Sequence, residues 1–165
     1  MKTKKLVYMS LLTATALVIF VAEAQIPTPV PIPGVKLGLA NIVTVYAMFV
    51  LGPLEALMIL IVRVLLGSMF AGQALMLMYS LGGGLLCWLA MLLLRRVLTL
   101  RQIWVCSAIG AVFHNAGQIL VAVLVTKTPA IAAYFPVLVV SGVITGLFTG
   151  ICAQILVNKI GKRAK

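Results

Sequence analysis

Long apolar stretches occupy most of this chain, and its basic residues fall into clusters between them. Of the 165 residues, 64% are hydrophobic, and 13 lysines and arginines stand against two acidic residues. A chain with so much apolar surface must place most of it against lipid or against other apolar helices, not inside a water-facing globule. The sequence therefore predicts an all-α, polytopic membrane helical bundle that forms one integral membrane domain over 1–165.

The lengths of the apolar stretches predict about six transmembrane helices. A helix needs about 20 apolar residues to cross a bilayer, and shorter runs are tolerated at some cost. The second and third runs meet at Gly52-Pro53, where proline can begin a helix because its missing N–H is one of the unpaired donors of the first turn. These two runs are individually short, and a re-entrant hairpin is the alternative. The expected spans are roughly 6–25, 37–52, 53–70, 72–94, 103–126 and 130–157.

The positions of the basic residues predict how these spans are oriented. Three clusters precede the first span, separate the fourth from the fifth, and follow the sixth: Lys2, Lys4 and Lys5; Arg95, Arg96 and Arg101; Lys159, Lys162, Arg163 and Lys165. With an even number of spans all three clusters lie on one side, which the positive-inside rule makes cytoplasmic. We therefore expect a multi-pass protein of the cell membrane with both termini in the cytoplasm, and only Lys36 and Lys127 on the opposite side.

The N-terminal segment has a second interpretation, as a cleaved secretory signal. A lysine-rich start, an apolar stretch and Ala22-Glu23-Ala24 resemble such a signal with an A-x-A cleavage site. Cleavage would leave five spans and would not change the side on which the arginine-rich loop lies. The apolar run is at the long end for a signal, which favours a retained first helix.

A proline-rich segment follows the first span. Prolines alternate with other residues over 26–34, which blocks helix formation and favours a stiff, extended loop. This segment is either a simple connection between spans or a shaped loop that covers a pocket.

The titratable residues exclude several kinds of chemistry. The chain has no aspartate, its two acids are Glu23 and Glu55, and its one histidine is His114. Magnesium-dependent transfer of phosphoryl or prenyl groups needs several carboxylates, and a zinc site needs three or four clustered ligands. No nucleotide-binding P-loop is present, and the basic residues lie at span ends and not on a basic helix. We therefore expect no metal, no cofactor, no nucleic-acid partner and no catalytic residue.

Polar side chains inside apolar spans are the best candidates for a binding site, because each is costly in lipid unless it faces a cavity or a partner. On the fifth span His114 and Gln118 share one face, with Asn115 beside them. Arg63 falls about ten residues into the third span, where it needs Glu23, a backbone carbonyl or an anionic ligand as its partner. Structural hydrogen bonding between helices remains the alternative for each residue. The expected substrate-binding residues are Lys36, Asn41, Arg63, Tyr79, His114, Asn115 and Gln118.

Small residues at four-residue spacing predict two helix-packing stripes. Gly142, Gly146 and Gly150 repeat along the sixth span and allow close approach of a neighbouring helix. Ser10 and Ala14 form a weaker pair on the first span, which we expect to dock a partner subunit.

Four ordered motifs resemble the Gx transporter family, which also carries the name heptaprenyl diphosphate synthase component I. The first motif, over 33–43, begins with Pro33-Gly34-Val35-Lys36, and the fourth, over 110–118, begins with Gly110-Ala111-Val112-Phe113-His114-Asn115. The second and third are Arg63-Val64-Leu65-Leu66-Gly67-Ser68 and Tyr79-Ser80-Leu81-Gly82-Gly83-Gly84. That family is similar to the substrate-binding S components of energy-coupling factor (ECF) transporters, which implies six spans and an outward-facing pocket. S components dock their coupling subunit through an A-x-x-x-A stripe on the first helix, where this chain has Ser10-x-x-x-Ala14.

The resemblance implies a membrane protein of S-component type that captures a small organic molecule and works with ECF-type ATPase and coupling subunits. The family's other name implies an alternative, an accessory membrane subunit of heptaprenyl diphosphate synthesis that works with a soluble prenyl synthase. Prenyl synthases bind magnesium diphosphate through aspartate-rich motifs, so a chain without aspartate could only be accessory. A purely structural helical scaffold is the third interpretation.

Overall fold

Six α-helices make up most of the protein. The computed structural model describes residues 3–23, 25–26, 38–72 and 74–160, and no strand occurs in these ranges. The prediction of an all-helical membrane bundle is confirmed. The helices are α1 Thr3–Glu23, α2 Asn41–Val50, α3 Pro53–Ala71, α4 Ala74–Leu94, α5 Ile103–Thr126 and α6 Phe135–Ile160, with short 3-10 turns at Leu100–Gln102 and Pro129–Tyr134.

Five of these helices are long and apolar enough to cross a membrane, which makes this a multi-pass membrane protein. Their outward faces carry large apolar side chains, such as Val18, Leu93, Leu124 and Phe148, each more than half exposed. Such faces suit contact with lipid, since they offer no polar group to water. The helix bounds lie close to the predicted spans, and those of α5 coincide with 103–126.

The span predicted over 37–52 differs from the structure, because α2 contains only ten residues. At 1.5 Å per residue, α2 is about 15 Å long, half of what the hydrocarbon core requires. Gly52, with φ of 129°, turns the chain, and Pro53 opens α3 as the sequence predicts. The segment before α2, residues 38–40, is a turn and not helix. The described ranges therefore contain six helices, one of which is half-length.

Glycines bring α4, α5 and α6 into close contact. A Cβ added at Gly117 of α5 would lie 2.5 Å from the carbonyl oxygen of Gly82 on α4. On α6, a Cβ at Gly146 would lie 2.7 Å from Ala108 Cα, and one at Gly150 would lie 2.6 Å from Trp104 Cα. Backbone cannot retreat as a flexible side chain can, so these glycines set the separation of the three helices. Around them, α2 packs against α3 and α6, and α1 packs against α3.

One end of the bundle gathers the described basic residues other than Arg63 and Lys127. Lys5 of α1 forms an ion pair with Glu55 of α3, and Trp88 Nε1 of α4 donates to the carbonyl oxygen of Pro53 at 2.9 Å. Gln154 Nε2 of α6 donates to Leu100 O at 2.6 Å, which joins the end of α6 to the connection before α5. These contacts place the start of α1, the α2–α3 turn, the α4–α5 connection and the end of α6 at the same level. The basic residues at this end, here called the basic end, are Lys4, Lys5, Arg95, Arg96, Arg101 and Lys159.

Candidate functional site

Polar side chains from several helices meet near mid-depth of the bundle. Arg63 lies ten residues after the start of α3, and His114 lies eleven residues after the start of α5. Both positions are about 15 Å from the basic end. The N-terminal end of α2 lies at this depth, because Asn41 contacts Arg63. We call this group, Glu23, Gly38, Asn41, Arg63, His114 and Gln118, the mid-depth polar cluster.

Arg63 is the charged centre of the mid-depth polar cluster. Its side chain is only 3% exposed, and its Nη2 donates to Asn41 Oδ1 at 3.2 Å. The guanidinium also stands over the Phe20 ring of α1, with Cζ 5.8 Å from the ring centroid. Such a cation–π contact is favourable, and more so where water is excluded. An aromatic ring and a neutral amide are thus the direct neighbours that stabilise this buried cation.

Glu23 ends α1 and holds the chain that enters α2. Its carboxylate accepts the backbone N–H of Gly38 and, at 3.3 Å, that of Ala40. It also interacts electrostatically with Arg63, but no carboxylate in the described ranges lies within ion-pair distance of that guanidinium. Glu23 was one of the partners expected for Arg63, and in the described ranges the two groups lie farther apart than a salt bridge.

Gly38 is the point where the non-helical segment enters the cluster. Its φ is 84°, in the left-handed region that favours glycine. A Cβ at this position would lie 3.1 Å from Asn41 Nδ2 and 3.1 Å from His114 Cδ2. Backbone conformation therefore favours glycine here, and a Cβ would in addition require the Asn41 or His114 side chain to move by a few tenths of an ångström.

His114 and Gln118 close the cluster on the α5 side. Gln118 Nε2 and His114 Nε2 lie 3.2 Å apart, and both side chains are buried. A Cβ added at Gly83 of α4 would lie 2.7 Å from His114 O and 2.9 Å from Gln118 Cγ. The close α4–α5 contact therefore fixes the positions of both side chains.

Of the other predicted binding residues, Asn115 and Tyr79 lie outside the mid-depth polar cluster. Asn115 follows His114 in sequence but faces α6, where its Nδ2 donates to Leu138 O at 2.6 Å. Tyr79 is buried in an apolar cluster with Ile119, Ala122 and Leu138. Lys36 and the proline-rich segment over 27–34 lie outside the described residues.

Several buried polar atoms of the site have no hydrogen-bond partner among the described residues. They are Arg63 Nε, Asn41 Nδ2 and Thr44 Oγ1. Thr44 lies one turn after Asn41 on α2 and is only 1% exposed. Buried polar groups are nearly always paired, so these atoms mark where a bound molecule or water would fit. Thr44 and Gly38 were not among the predicted binding residues, although the three-residue spacing of Thr44 from Asn41 on one helix was a usable signal.

The two apolar grooves beside α1 are separate from the mid-depth polar cluster. The larger, about 430 Å³, lies between α1 and α3 and includes the predicted docking pair, Ser10 and Ala14. The smaller, about 230 Å³, lies between α1, α2 and α6 beside a 2.7 Å hydrogen bond between the hydroxyls of Tyr8 and Tyr46.

In the described part of the chain, no group of three His, Cys, Asp or Glu side chains comes together that could hold a metal ion. The cluster offers mainly hydrogen-bond donors and one fixed positive charge. These groups can bind a ligand that accepts hydrogen bonds.

The fold and site together define a multi-pass helical membrane protein with a polar cluster buried at the end of a half-length helix. Among protein families, the chain belongs to heptaprenyl diphosphate synthase component I, whose model matches residues 12–156. This confirms the family that the four motifs resemble, and the matched range includes every described residue of the mid-depth polar cluster. No curated protein and no solved structure matches the chain.

Proposed function

We propose that this protein is a membrane substrate-binding protein of ECF S-component type, which captures a small organic molecule at the mid-depth polar cluster. One observation carries the proposal. The half-length helix α2 starts beside Arg63, where Arg63 Nε and Asn41 Nδ2 are buried donors that have no acceptor among the described residues.

Non-helical backbone at membrane depth supports a binding site. Residues 38–40 are not helical, and their N–H groups need acceptors that lipid cannot supply. Glu23 provides acceptors for two of them. Transporters commonly build their substrate sites from interrupted helices near the bilayer midplane, and a short or Gly/Pro-interrupted apolar segment is a pointer to such a site. The arrangement around α2 has these features.

Binding, and not catalysis, is the role that these side chains suit. Glu23 is engaged with backbone amides and Glu55 with Lys5, so both acids of the chain already have structural partners. The remaining groups, Arg63, Asn41 and Gln118, orient a ligand by hydrogen bonds. Lys36 and Tyr79 are proposed as further contacts on the basis of the family motifs, whereas Asn115 faces α6.

Active transport would need a partner that supplies energy. We place its docking surface at the α1–α3 groove, where Ser10 and Ala14 leave room for a helix of a coupling subunit. Ala14 is exposed, and Ser10 Oγ donates to Leu6 O at 3.0 Å, so its hydroxyl does not obstruct the surface.

A second candidate function follows from the family's description, a membrane component of heptaprenyl diphosphate synthesis. The observation that favours it is the smaller groove, which is lined by apolar side chains such as Leu12, Ile19 and Val43 and suits an isoprenoid chain. In this role the protein would hold product or substrate for a soluble prenyl synthase, which would supply the catalytic aspartates.

Native mass spectrometry of gently solubilised protein from its own host tests these proposals. Arg63→Gln removes the buried charge, and Arg95→Gln makes the same change at an exposed site. We expect a small-molecule adduct that is retained by Arg95→Gln and lost by Arg63→Gln. An adduct equally present in both variants would refute the site, and a prenyl adduct with a co-purifying soluble synthase would select the second function.

A further inference from the structure

We propose that the ligand of the mid-depth polar cluster presents an anionic oxygen group, a carboxylate or phosphate, to Arg63 Nε and Asn41 Nδ2. This inference rests on the proposed binding function and adds the chemical class of the ligand. It stands on two side chains that are each at least nine-tenths buried.

The unpartnered atoms at the centre of the cluster are hydrogen-bond donors. Arg63 Nε carries one N–H, and Asn41 Nδ2 carries two, and neither atom has an acceptor among the described residues. The two side chains are already joined by the hydrogen bond from Arg63 Nη2 to Asn41 Oδ1, so their donors lie close together. A ligand that accepts hydrogen bonds satisfies both, whereas a ligand that only donates satisfies neither.

Charge selects an anion over a neutral acceptor. Arg63 is a fixed cation near the middle of an apolar span, where an uncompensated charge is costly. Glu23 is committed to the amides of Gly38 and Ala40 and is not within ion-pair distance of Arg63. Among the described residues, the direct contacts of the guanidinium are an aromatic ring and an amide oxygen, both uncharged. An anionic oxygen would complete the neutralisation that Glu23 begins at longer range.

The backbone N–H groups at the start of α2 are not available to bind the anion. The N–H groups of Asn41, Ile42 and Val43, in the first turn of α2, already donate to carbonyls three residues earlier. The anion would therefore be held by Arg63 and Asn41, with the Thr44 hydroxyl one turn further along the same face of α2.

Replacing Asn41 by aspartate tests the inference, because the new carboxylate occupies the place of the proposed anion beside Arg63. We expect Asn41→Asp to raise the melting temperature of ligand-free protein and to lower the affinity for the natural adduct by about ten- to hundredfold. Asn115→Asp is the matched control, since Asn115 is also buried but donates to the Leu138 carbonyl oxygen, and no described cation contacts it. That change should lower the melting temperature.

Two added probes distinguish the source of the anion. The full-length protein is titrated with inorganic phosphate or acetate against chloride of equal ionic strength. It is also reconstituted in nanodiscs of phosphatidylcholine with or without phosphatidylglycerol. Stabilisation by phosphate or acetate that Asn41→Asp abolishes indicates a soluble anion. Stabilisation by phosphatidylglycerol alone, also abolished by Asn41→Asp, indicates a lipid headgroup.

The inference is overturned if Asn41→Asp destabilises the protein as much as Asn115→Asp does, or if it binds the natural adduct as tightly as the unmodified chain. In the second case the binding function stands and only the charge of the ligand is wrong. If neither the adduct nor any response to the probes is found, the binding function itself fails.

Discussion

The Glu23 carboxylate accepts the backbone N–H of Gly38, fifteen residues further along the chain. This contact joins the end of α1 to the beginning of α2, and it fixes the depth at which the half-length helix starts. Because Gly38 also lies between Asn41 and His114, the same contact positions the polar side chains of the cluster.

Replacing Glu23 by glutamine should destabilise the protein more than the same change at the chain's other acid. Glutamine keeps one acceptor for Gly38 or Ala40 but removes the buried charge that acts on Arg63, a loss of about 1–3 kcal/mol. Glu55 pairs with Lys5 at a partly exposed position, so Glu55→Gln should cost at most about 1 kcal/mol. Thermal unfolding in one detergent compares the two variants. Equal losses would show that Glu23 does not hold the site.

Replacing Gly38 by alanine should be more harmful than the same change at Gly72. Both glycines have positive φ, 84° and 63°, so both variants bear the backbone cost of roughly 1–2 kcal/mol. Only at Gly38 would the new methyl group meet Asn41 and His114, since nothing lies within 4 Å of the corresponding position at Gly72. We expect Gly38→Ala to lower both the melting temperature and the retention of bound ligand. If the two variants have the same melting temperature, Gly38 does not form the contact described.

Replacing Gly146 by alanine should loosen the contact between α5 and α6. Overpacking against Ala108 and Ser107 costs about 1–3 kcal/mol, while alanine gains about 1 kcal/mol in helix propensity. The control is Ile144→Ala on the outward face of α6, which should change stability by no more than about 0.5 kcal/mol. Unfolding in detergent measures both, and a more stable Gly146→Ala protein would contradict the packing.

The first helix should be retained in the mature protein, because it supplies Glu23 and Phe20 to the site and pairs Lys5 with Glu55. A zero-length carbodiimide reaction in native membranes should link Lys5 to Glu55, as detected by mass spectrometry of peptides. Lys5→Arg keeps the charge but cannot form the stable amide, and it should abolish the link. A mature chain that starts after residue 24 would show that the segment is a cleaved signal.

The basic end should face the cytoplasm, since it gathers the described lysines and arginines except Lys127 and the buried Arg63. Thr99 and Thr128 are exposed at opposite ends of the bundle and offer matched sites for cysteine labelling. With Cys152 changed to serine, a membrane-impermeant maleimide should label Thr128→Cys in intact cells and Thr99→Cys only after permeabilisation. The reverse labelling pattern would show that the basic end faces the outside of the cell.

Much of the candidate site was visible in the sequence as a set of polar residues in apolar spans. Asn41, Arg63, His114 and Gln118 were all expected to bind ligand, and the structure brings them together. Their grouping could not be derived, because Arg63 and Asn41 belong to different helices and meet only through the packing of α2 against α3. Residues that are adjacent in sequence also face different helices, since His114 faces Gly83 of α4 while Asn115 faces Leu138 of α6.

The sequence by itself determined that the chain forms a helical membrane bundle, roughly where its long helices lie, and which residues are costly in lipid. These properties depend on local composition, since about 20 apolar residues partition into a bilayer as a helix wherever they occur. Tertiary structure alone decided that α2 is half-length and that its start lies beside Arg63. That outcome depends on Glu23 satisfying the amides of Gly38 and Ala40, contacts between segments that no local pattern encodes.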